Sequence, residues 1–146
     1  MTVSTAESCT GGLVSDRLTN VSGSSKYFNG GVVAYSNEIK SSLLNVNKDI
    51  INSDGAVSDE VAMEMARGVK EKFSSDIGIS TTGIAGPSGG TKSKSVGLVY
   101  VGISTDKFEK TYKFSFTPYR KANKLMTSQA ALNIIRLFLL KGLRNS

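Results

Sequence analysis

Between Val96 and Ile103 the chain reads Val-Gly-Leu-Val-Tyr-Val-Gly-Ile, with no charge and no alternation of apolar and polar positions. A strand that is half in water alternates, so this run belongs to a strand covered on both faces. Any fold for this chain must put apolar material on both sides of a sheet. After the turn Thr105-Asp106-Lys107, the aromatics Tyr112, Phe114 and Phe116 alternate with polar residues. This is the pattern of a second strand returning antiparallel to the first.

Three further strands are expected, over Thr2 to Ala6, Gly31 to Tyr35 and Ile77 to Thr82. Helical spacing separates them. Leu13, Val14, Leu18 and Val21 share one helical face after Thr10-Gly11-Gly12, and Asn37 to Leu44 reads as a short helix. Asn20 to Ser25 is turn-like, and Asn52 to Gly55 is expected to be a loop. Ser58 with Asp59 and Glu60 opens a helix on which Val61, Met65, Val69 and Phe73 recur every four residues. Tyr119 to Leu140 is a long helix whose end, Ile134 to Leu140, is apolar nearly all round and must be covered by the core or by a partner subunit. Strands that alternate with helices and then close in a hairpin give an α/β fold with a mixed sheet.

The 146 residues have the length of one ordinary domain, and residues 1–146 are expected to form one. No apolar run is long enough to cross a bilayer, and Met1-Thr2-Val3-Ser4 lacks the basic and apolar parts of a signal peptide, so a cytoplasmic protein with no membrane partner is expected. Cys9 is the only cysteine and there is no histidine, which removes disulfides and makes neither a metal nor a cofactor expected. Eighteen Lys and Arg against 12 acids give a net charge of +6 and favour anionic partners. The lysines are scattered rather than gathered in a block with aromatics, so a phosphorylated small molecule is expected ahead of nucleic acid.

Without histidine, a serine hydrolase needs another base. Ser8 and Cys9 lie at an apparent strand-to-helix turn, where backbone N–H groups of Cys9, Thr10 and Gly11 can face an oxyanion. Ser8 or Thr10 merely capping the helix, with Gly11 and Gly12 allowing close packing on the sheet, is the plainer alternative. Cys9 offers a second nucleophile, with Glu7 and a lysine behind it, or simply a small buried side chain. Tyr35 and Lys40, five positions apart, offer a phenol and an amine as base. A phenol of ordinary pKa, about 10, works at neutral pH only beside cations, here Lys40 and Arg120. The loop Gly83 to Thr91 has the glycines of a phosphate cradle and is followed by Lys92 and Lys94, but it lacks the spacing of a Walker or dinucleotide motif.

Four segments, Ala6-Glu7-Ser8-Cys9-Thr10-Gly11-Gly12, Gly31 to Lys40, Gly55-Ala56-Val57-Ser58 and Thr82 to Thr91, together resemble the CinA C-terminal domain family. The resemblance implies a three-layer α/β/α sandwich that hydrolyses the carboxamide of nicotinamide mononucleotide to nicotinate mononucleotide and ammonia. It implies Ser8 as nucleophile, Tyr35 as base, and Arg120 and Lys40 as assisting cations. Gly83, Gly86, Gly89, Gly90 and Thr91, with Asn37, would hold the phosphate. A homo-oligomer, dimer or larger, is expected. Relatives usually carry a helix before the first strand, so part of the sheet is expected to be uncovered here, and Pro118-Tyr119-Arg120 stands where Gly-Asp-Arg is usual. A nucleotide-binding module without turnover, and a DNA-associated role, are the competing readings.

Overall fold

β1 (Val3–Glu7) is buried at every position, because it has a parallel neighbour on each side, β2 (Phe28–Val33) and β3 (Ile77–Gly83). β4 (Leu98–Ser104) runs antiparallel to β3, and β5 (Glu109–Ser115) antiparallel to β4 at the edge. The order is β2-β1-β3-β4-β5, the mixed sheet expected from the sequence. This computed structural model describes residues 1–144; the last two positions of the expected domain lie outside the described residues.

Helices cover both faces. Val14 and Leu18 of α1 (Leu13–Thr19) and Ala131, Ile134 and Ile135 of α5 (Arg120–Arg144) pack on Val3, Ile77, Ile79, Val99, Val101 and Ile103. On the other face α2 (Asn37–Leu44), α3 (Lys48–Asp54) and α4 (Asp59–Lys72) bring Leu44, Ile51, Val61, Met65 and Val69 onto Ala6 and Val32. The run that demanded two-sided cover receives it: Val99, Val101 and Ile103 are fully buried on the α1 and α5 face, and on the other face the buried Gly102 lies against the Ala62 carbonyl of α4.

α4 starts as its sequence dictates, with the Ser58 hydroxyl accepting from the Val61 N–H at 3.3 Å. It then lies so close to the sheet that a Cβ added at Gly78 would fall 2.0 Å from the carbonyl oxygen of Ala66. Backbone cannot yield there as a flexible side chain would. Gly78→Ala is therefore expected to destabilise the fold by about 2–3 kcal/mol, read as a lower denaturant midpoint.

Three expectations shift. β2 comes earlier than Gly31 to Tyr35, because Ala34 makes the last ladder contact, its N–H donating to the Glu7 carbonyl at 2.8 Å, and Ser36 already caps α2. Asn52 to Asp54 is not loop but the end of α3, which Asn47 starts by accepting from the Asp49 N–H at 2.8 Å. Phe73 falls just past the end of α4. The tail of α5 is covered on one side only: Ile134 and Ile135 are buried, whereas Leu137 and Leu140 remain about 40% exposed. Beside it Met1, Val3, Leu18, Ile77 and Phe138 line an apolar groove of about 820 Å³, but the strand residues there, Val3 and Ile77, are themselves buried. Among the described residues no helix is long and apolar enough to cross a membrane.

Candidate active site

The chain leaves β1 toward β2 on one side, then crosses over to β3 on the other. Parallel strands that part in this way leave a crevice beyond their carboxyl ends, and Ser8 is the first residue in it. Its N–H donates to the Thr81 carbonyl at 3.0 Å, and its carbonyl accepts from the Gly11 N–H at 3.1 Å, which folds residues 8–11 into a tight turn.

That turn departs from the expected helix start at Thr10. Gly12, at φ 106°, occupies the cap position and α1 begins at Leu13. A Cβ on Gly12 would meet only Val33, at an ordinary 3.6 Å, so glycine is required here by its dihedral angle rather than by close packing. Neither Ser8 nor Thr10 caps the helix. The buried Glu7 carboxylate does so, accepting from the N–H groups of Val14 (2.7 Å) and Ser15 (3.0 Å) and from the hydroxyls of Thr10 (2.6 Å) and Ser15 (2.8 Å). Negative charge at a helix N-terminus is favourable, and four donors satisfy this one.

Across the crevice α2 presents Lys40. Its ammonium is buried, donating to Ser8 Oγ at 3.0 Å and to the main-chain carbonyl of Tyr35 at 3.3 Å. Neither ion pair among the described residues includes it. Burial pushes the amine below its ordinary 10.5; the opposing influence is the Cys9 thiolate, and burial holds that thiol protonated by raising its pKa to about 12. Tyr35, expected as base, lines the same cavity but is 63% exposed, and the side chain bonded to Ser8 is Lys40. Lys40 is thus the basic side chain in direct contact with Ser8 Oγ. Cys9 packs against the Val14 and Ile79 side of the core, with a thiol unsuited to nucleophilic attack.

Ser8, Cys9, Tyr35, Asn37, Lys40, Gly83, Gly89 and Arg120 line one cavity of about 300 Å³. Thr10, Gly11, Gly86, Gly90 and Thr91 do not. The Thr10 hydroxyl is taken by Glu7 and Thr81, and the Gly11 N–H by the Ser8 carbonyl, which removes Gly11 as an oxyanion donor. Among the described residues no backbone carbonyl accepts from the N–H of Cys9 or Thr10. Gly86 packs against the Pro118 carbonyl and Gly90 against Val96, while Thr91 closes a turn by accepting from the Lys94 N–H at 3.1 Å. Of the glycine run only Gly83 and Gly89 reach the cavity, joined there by Ile84, Ala85 and Ser88, of which sequence reasoning passed over Ser88; Ala56, Val57 and Thr82 complete the wall. A hydroxyl between glycines in that loop was the available signal. No group of three or more His, Cys, Asp or Glu that could hold a metal occurs among the described residues.

The chain is similar to a CinA-like protein of Dictyoglomus thermophilum, 52% identical over 96% of this chain and 34% of the relative, and to a CinA-like protein of Chloroherpeton thalassium, 51% identical over 93% and 33%. It spans about a third of the length of the curated relatives it matches. Its fold matches the crystal structure of the competence/damage inducible protein CihA from Agrobacterium tumefaciens with a TM-score of 0.92 at 35% identity, over 94% of this chain and 84% of that one. The model of the CinA C-terminal domain matches residues 1–139, and the chain belongs to that family.

Proposed function

We propose that this domain is an amidohydrolase that converts nicotinamide mononucleotide and water to nicotinate mononucleotide and ammonia, with Ser8 as nucleophile and Lys40 as its base. The observation that carries the proposal is the buried Lys40 amine 3.0 Å from Ser8 Oγ at the floor of the cavity. In its neutral form the amine accepts the Ser8 proton while Oγ attacks the carboxamide carbon. The backbone N–H of Cys9, on the cavity wall beside Ser8, is the donor offered to the developing oxyanion. The carbon–nitrogen bond breaks, Lys40 returns the proton to the departing nitrogen, and ammonia leaves. Water adds to the acyl-serine ester by the same route, restoring Ser8 and releasing the carboxylate. Arg120, with Asn37, Ser88 and Gly89, supplies the charge and donors for the phosphate. Ammonia release from nicotinamide mononucleotide tests the reading directly; thermal stabilisation by the nucleotide without ammonia would leave a binding module in its place.

The pH profile has a defined sign. Only the neutral amine is a base, so kcat/KM rises with pH through the Lys40 titration. Burial places that limb below the 10.5 of an ordinary lysine. A limb at or above that value would remove Lys40 from the role.

A further inference from the structure

Lys94 follows the glycine loop, where a cation is expected to reach toward phosphate, yet it lines no part of the cavity. The Thr91 N–H donates to the Lys94 carbonyl at 2.7 Å, and the resulting turn sends the side chain away to the connection between α3 and α4. There its ammonium donates to the carbonyls of Asp54 and Val57, the latter at 2.6 Å. Asp54 ends α3, so its carbonyl lies at the negative pole of a helix and welcomes a cation. Gly55 lies between the two acceptors, and a Cβ there would come 3.1 Å from Nζ. The two segments that Lys94 joins form one wall of the cavity: Ala56 and Val57 from the connection, and Ile84, Ser88 and Gly89 from the loop.

We infer that Lys94 is a positioning residue, a strap that ties the glycine loop to the α3–α4 connection and so sets the width of the substrate cavity without touching substrate. Its kinetic consequence rests on the amidase reading; the strap itself does not. Lys94→Met keeps most of the unbranched stem and removes the donors, whereas Lys94→Arg keeps charge and donors. Hydrogen exchange in the methionine variant is expected to quicken at the amides of Gly55 and Thr91, with the rest of the domain and its unfolding midpoint unchanged, and the arginine variant is expected to restore protection. KM of the methionine variant for nicotinamide mononucleotide is expected to rise about tenfold with kcat within about threefold. The same factor should apply to nicotinamide riboside, which lacks the phosphate. A KM loss confined to the phosphorylated substrate means that Lys94 binds phosphate directly, and overturns the strap; so does unchanged exchange at Gly55 and Thr91. If the parent domain releases no ammonia from either compound, the amidase reading fails and the exchange measurement alone decides the strap.

Discussion

Replacing Ser8 with alanine is expected to lower ammonia release from nicotinamide mononucleotide by at least about 10³-fold, and replacing Lys40 with methionine by a similar factor. The two losses should not multiply. A serine and the amine that deprotonates it act as one unit, so the double variant should be no slower than either single one. The two substitutions differ in their effect on stability. Lys40 is a buried amine with no carboxylate partner among the described ion pairs, and its lowered pKa means that the fold disfavours its charged form. Below its folded pKa the protein must hold that ammonium out of water. Methionine relieves the strain, so Lys40→Met is expected to unfold at a denaturant concentration no lower than the parent. Loss of activity combined with retained stability separates a functional lysine from a structural one. A stability loss of several kcal/mol in Lys40→Met, with turnover preserved, would refute the assignment.

The same pair shows what was legible in the sequence. Ser8 was legible because a small polar residue at a strand-to-helix turn has few places to be, and the crossover of β2 and β3 around β1 puts that turn in the crevice. Lys40 was legible only as a companion of Tyr35. Choosing between an amine and a phenol five positions apart depends on how far β2 runs before the chain turns into α2, and strand ends are not written in periodicity. Because β2 stops at Val33, Tyr35 falls on the exposed rim and Lys40 on the inner face of the helix. The sheet order was partly legible, since the buried run of β4 and the alternating one of β5 can pair only at the outer side of the parallel strands. α3 was not: seven residues capped by Asn47 carry too little periodicity to distinguish a short helix from a loop.

Glu7 was legible only as a companion of Cys9, because nothing in its spacing reveals that it faces inward under α1, where its carboxylate is engaged by Thr10, Val14 and Ser15. Its truncation is expected to be the most damaging to stability. Glu7→Ala removes the acceptor from two backbone N–H groups and two hydroxyls in a site where Glu7 itself is 1% exposed. The hydroxyls have somewhere to turn: Thr10 Oγ1 already lies 2.8 Å from Thr81 Oγ1, and Ser15 Oγ lies 2.7 Å from Thr5 Oγ1. The N–H groups of Val14 and Ser15 do not. Two orphaned backbone donors and a small cavity amount to about 3–5 kcal/mol, or roughly 10 °C in Tm for a domain of this size. Glu7→Gln keeps the volume but has one acceptor oxygen for two diverging N–H groups, so it should lose about 1–3 kcal/mol. Both variants loosen the turn that holds Ser8, and turnover should fall in step with stability. If instead Glu7→Gln keeps its unfolding midpoint and loses turnover, the carboxylate belongs to the chemistry and not to the scaffold beneath Ser8.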